Sequence, residues 1–119
     1  MSADRSANER FELTNQIAYV ERREDEFSEL RGAYQRSLEQ FQQRFHSVAR
    51  RRESSISHDS HASSGAQRER DAQHELLFQV DRYVADSLEE LAWVSSQVRV
   101  ALDDERERLT RERNALPWE

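Results

Sequence analysis

Leu13–Val48 reads LTNQIAYVERREDEFSELRGAYQRSLEQFQQRFHSV. Every seventh residue from Leu13 is apolar or aromatic: Leu13, Val20, Phe27, Tyr34, Phe41 and Val48. The companion positions four residues on are Ile17, Glu24, Arg31, Leu38, Phe45 and Arg52, and half of these are apolar. Alternating steps of three and four keep one stripe on one side of a long helix. A stripe of that length needs a second helix to cover it. The stretch therefore predicts an all-α fold in which a long helix lies against another.

Composition agrees. Charged and hydrophobic residues each make up 35% of the 119 residues, and there are two Gly and one Pro. Long helices with thin apolar seams fit this balance, and a turn-rich β fold does not. Disorder explains neither the periodicity nor the two Trp, three Tyr and five Phe. The net charge of −6 offers no basic excess for a phosphate backbone. All 18 basic residues are Arg, which reads as the coding bias of a GC-rich genome. With no Cys there is no disulfide framework and no thiolate metal site. Met1–Arg10 is polar, with no apolar signal core, and no run approaches a membrane span. The expectation is a cytoplasmic chain that no cleaved general secretory signal exports.

Ser6-Ala7-Asn8-Glu9 has the pattern of a capping box, so helix 1 is expected from about residue 6 to 52. Gly32 is a weak spot beside Ala33, read either as a site of close helix approach or as a kink. Glu24 and Arg31 interrupt the stripe. They read either as a polar layer that fixes register or as rim charges; the rim is favoured because isolated buried charges are costly. Arg50-Arg51-Arg52 suits the negative end of a helix. Residues 53–66 read ESSISHDSHASSGA, half of them Ser or Gly, which predicts a flexible linker. His58, Asp59 and His61 sit close together there, but a loop lacks the fixed second shell that a metal site needs, so no metal is expected.

Ser64-Gly65-Ala66-Gln67 is a second capping box, and helix 2 is expected over about 67–115, ended by Pro117, with 116–119 as a short tail. Its seam reads Leu77, Val80, Val84, Leu88, Leu91, Ser95, Val98, Leu102, Leu109 and Leu116. The steps Val80–Val84–Leu88 form a stutter. Folding back near residue 59 or 60 gives one antiparallel hairpin domain. Val20 is then expected opposite Val98 or Arg99, Phe41 opposite Leu77 or Phe78, and Glu24 beside Ser95.

Helix 2 has more apolar surface than one seam uses. Trp93 and Val100 point opposite Leu91, with Phe78 nearby, and Phe11 points away from Phe27 on helix 1. With the tail residue Trp118, these are the candidate partner-binding residues. No glycine loop, no repeated Glu-x-x-His pair and no pocket for catalysis is legible, so neither an enzyme nor a cofactor is expected. His46 reads as a rim residue at the seam edge.

The whole-length hairpin, the charged end Asp103-Asp104-Glu105-Arg106-Glu107-Arg108-Leu109 and the tail Leu116-Pro117-Trp118-Glu119 resemble the WXG superfamily of type VII secretion. The nearer likeness is to the LXG-associated α-helical proteins, small partners of LXG toxins. No Trp-x-Gly stands in the turn, and Tyr83 is followed four residues later by Ser87, not by the acid of an export signal. The resemblance thus implies a chaperone or targeting factor that lends its helices to a toxin's helical domain, with co-export as one outcome. The competing reading is a self-associating structural coiled coil, such as a homodimer, with no client.

Overall fold

The computed structural model describes residues 2–59 and 64–117. Two α-helices account for nearly all of them: α1, Ser2–Asp59, and α2, Ser64–Asn114. No strand occurs among the described residues. The fold is an all-α helical hairpin.

Both helices are longer than expected. α1 runs without interruption through Gly32 and through Glu53–Asp59, half of the stretch read as a flexible linker. Ser costs a helix only about 0.5 kcal/mol per residue against Ala. Local tertiary contacts offset that here: Glu53 Oε1 lies 3.2 Å from Arg70 Nε, and Gln73 Nε2 donates to the Ala49 carbonyl at 2.6 Å. At the other end, α1 already includes Ser2–Arg5, so Ser6 is a buried residue inside the helix and not its cap. His58 and Asp59 close α1, but their side chains and His61 lie outside the described residues, as does Trp118.

The chain divides into two compact units, Met1–Gly32 with Ala92–Glu119 and Ala33–Leu91. Each is an antiparallel pair of helix segments. In the first, Arg10 Nη1 donates to the Pro117 carbonyl, Arg113 Nη1 to Thr14 Oγ1, and Arg106 Nη1 to Glu24 Oε2. Ile17, Val20 and Leu109 form its core, flanked by Leu13 and Leu102. Leu109 is the most enclosed, at 1% exposure. Phe27 and Val98 are half-buried in this unit.

In the second unit, Leu38, Ala49, Ala66, Val80 and Val84 are buried, with Phe45, Leu77, Leu88 and Leu91 half-buried. Tyr34 and Phe41, expected in the seam, are instead 48% and 45% exposed, and Val48 is exposed with them. The reason is geometric. A straight helix drifts by about 20° per heptad against a seven-residue repeat. The stripe that faces α2 at Leu13 and Val20 has therefore turned out of the seam by Phe41, where Gln42 and Ala49 take the inner positions.

The expected register is also corrected. Val20 packs with Leu109 rather than Val98, Phe41 meets Tyr83 rather than Leu77, and Glu24 bonds Arg106. In each unit the α1 residues thus face later residues of α2 than expected.

Candidate protein-interaction surfaces

In the first unit the inner line of α2 is Ser95, Val98, Leu102 and Leu109. At 100° per residue, Trp93 and Val100 stand on the opposite side of that helix. Trp93 is 65% exposed, and Val100 is exposed one heptad later. Phe11 is exposed on the outer side of α1. Tyr19 is exposed too, but Arg22 and Arg23 place their guanidinium carbons 5.9 and 5.8 Å from its ring centroid, so local cations cover its faces. Phe78, likewise exposed, belongs to the second unit.

The polar layer sits inside the first unit. A groove of about 220 Å³ is lined by Glu24, Phe27, Ser28, Arg31, Ser95 and Asp103, among others. Glu24 is more enclosed than a rim residue: its side chain is 28% exposed and its carboxylate is bonded to Arg106, which also donates to Asp103 Oδ1 at 2.9 Å. Glu24 Oε1 and Ser95 Oγ are buried and find no hydrogen-bond partner among the described residues. Arg31 is half-buried at the wall of the groove.

The two flanks of the second unit differ in chemistry. On one flank, Gln42 Nε2 donates to Asp81 Oδ1 at 2.9 Å, and His46 Nε2 lies 2.6 Å from the same oxygen. The Gln42 hydrogen bond first, then that of His46, holds the Asp81 carboxyl below the usual carboxylate range, against a smaller opposing effect of desolvation. His46 is thus at the rim, as read from sequence, but tied to α2. Asp81 was missed because its partner is visible only in the correct register.

The other flank is apolar. The Phe41 ring meets Tyr83 edge-on at 6.4 Å and Phe45 at 6.3 Å. Beside them a groove of about 270 Å³ is lined by Phe45, Val48, Ala49, Ala72 and Leu76, and by the polar Arg52, Glu69 and Gln73. Those three are engaged: Arg52 makes two hydrogen bonds to Glu69 at 2.9 and 2.7 Å, and Gln73 bonds the Ala49 carbonyl. The groove therefore offers a guest a mainly apolar surface, in which Gln73 Oε1 is buried without a hydrogen-bond partner among the described residues.

Among the described residues, no group of three or more His, Asp or Glu is placed to hold a metal ion. No described helix is long and apolar enough to cross a membrane. No family model, no curated protein and no solved structure matches this chain.

Proposed function

We propose that the chain is a non-enzymatic helical binding partner that chaperones or targets an LXG-type toxin of a type VII secretion system. The observation that carries a binding role is Trp93. A Trp left 65% exposed on the outer side of a helix, with Val100 one heptad along, forgoes apolar burial that a docked helix would supply. Trp is also the residue type that most often dominates interface energetics. The toxin client comes from the resemblance of the hairpin and its charged helix end. In this reading the protein acts in the cytoplasm and travels with its client if it is exported at all. The same face paired with itself across a two-fold axis gives the competing reading, a homodimeric structural coiled coil.

The test is co-expression with the N-terminal helical domain of an LXG toxin, followed by sedimentation of the purified material. A stable heteromer that Trp93→Glu abolishes, with helicity by circular dichroism unchanged, is the expected result. A homodimer that ignores the toxin domain supports the structural coiled coil. Normal association of the Trp93→Glu chain removes this face from the function.

A further inference from the structure

The seven-residue repeat of α1 outlives its use in the seam. Leu13, Val20 and Phe27 continue as Tyr34, Phe41 and Val48, yet in the second unit these last three face outward. Within that unit the contact with α2 does not need them apolar, since Leu38, Phe45 and Ala49 already serve it. α2 supplies a matching pair on the same flank, Leu76 and Tyr83, also exposed and also seven apart. The edge-on contact of Phe41 with Tyr83 and the groove shared by Val48 and Leu76 join the two rows into one surface. Seven-residue spacing on both walls is the signature of packing against another helix, because only a supercoiling neighbour keeps that phase. A small ligand requires no such repeat.

The charges beside the groove say what kind of helix. Three residues beyond Phe41 and Val48, on the outer rim of α1, stand Arg44 and Arg51. Both are exposed and have no ion-pair partner among the described residues. The corresponding positions on α2, three beyond Leu76 and Tyr83, are Gln79 and Asp86, and Asp86 lies 3.9 Å from Arg82. One rim is thus cationic and the other close to neutral, in a chain whose net charge is −6.

We infer that the groove of the second unit is a docking site for an amphipathic helix of another protein, with a heptad apolar stripe and acidic residues on the flank that faces α1. The apolar stripe fills the groove between Phe45, Val48, Ala72 and Leu76 and continues over the adjacent Phe41, and the acids pair with Arg44 and Arg51. The site is separate from the Trp93 face and does not depend on its use.

The experiment titrates the full chain into two fluorescein-labelled helical peptides of about three heptads. Both carry Leu at the core positions; one has Glu and the other Lys at the flanking positions. The Glu-flanked peptide is expected to bind, and the Lys-flanked one at least about tenfold more weakly, the order expected of two exposed ion pairs gained and two repulsions avoided. Val48→Asp abolishes binding of both, and the double variant Arg44→Glu/Arg51→Glu reverses the preference. All these positions are exposed, so helicity by circular dichroism is unchanged in each variant. Equal binding of the two peptides overturns the charge assignment, and binding of neither overturns the site. A dimer of the isolated chain that Val48→Asp dissociates assigns the groove to a second copy instead.

Discussion

Arg106 Nη1 donates to Glu24 Oε2 across the first helix pair at 3.1 Å, while Glu24 Oε1 is buried without a partner among the described residues. A carboxylate that is half satisfied and partly withdrawn from water contributes little net stability, although removing only its cation is costly. Arg106→Leu is therefore expected to destabilise by about 1–2 kcal/mol, between the values for exposed and buried pairs. Glu24→Leu is expected to be neutral or to stabilise by up to about 1 kcal/mol, because it removes the orphaned oxygen and extends the line of Val20 and Phe27. Urea denaturation of both variants checks the asymmetry, and equal losses would show an ordinary ion pair.

Packing makes a second contrast. Leu109 is 1% exposed in the core of Ile17 and Val20, so Leu109→Ala is expected to cost about 2–5 kcal/mol. Phe41→Ala is expected to cost distinctly less than the roughly 3–5 kcal/mol of a buried Phe, because nearly half of that side chain is in water. Chemical denaturation midpoints of the two variants rank them, and a larger loss at Phe41 would place the seam on the outer stripe.

That contrast marks what can be read from the sequence and what cannot. Periodicity reveals that there are two long helices and which residue types they bury, because the apolar stripe is a property of each helix alone. Register is a property of the pair. It needs the contacts between the helices, and the Ser-rich run Glu53–Asp59 also hid where α1 ends because Ser is only mildly unfavourable in a helix. A seven-residue template followed over Leu13–Val48 also ignores the slow rotation of a real helix, so it places Tyr34 and Phe41 in a seam they have turned away from. Trp93 and Val100 were legible as outward-facing because their angle to Leu91 is fixed within one helix. The His46–Asp81 contact was not, since it needs the register.

Acid should weaken the second unit through Asp81. Its carboxyl is held below the ordinary value of 3.8 in the folded chain by the hydrogen bonds of Gln42 and His46. A depressed folded value means that the contribution to stability is fully present above 3.8 and is lost as pH falls through the lower folded value. Asp81→Asn is expected to be less stable than the parent chain near neutral pH, with the gap closing in acid below that value. Urea midpoints of both chains across that range decide it. A gap that stays constant with pH would mean that the substitution disturbs packing and not a charged hydrogen bond.

Ser95 lies on the inner line of α2 at 2% exposure, and its hydroxyl has no hydrogen-bond partner among the described residues. A hydroxyl buried without a hydrogen-bond partner costs about 1–3 kcal/mol. Alanine removes the hydroxyl, leaves the backbone unchanged and gains about 0.5 kcal/mol of helix propensity. Ser95→Ala is therefore expected to stabilise the chain by about 1–2 kcal/mol, reduced somewhat by the small void it leaves. Ser95→Val, with a branched side chain in a groove already bordered by Phe27 and Leu102, tests whether that space accepts more volume. Thermal melts monitored by helicity separate the cases. A rise for alanine and a further rise for valine would mean that the groove is underfilled. A rise for alanine alone would mean that only the hydroxyl is out of place. A fall for alanine would show that Ser95 is satisfied in solution, by water or by the free oxygen of Glu24, and that this polar pair contributes to the specificity of the seam.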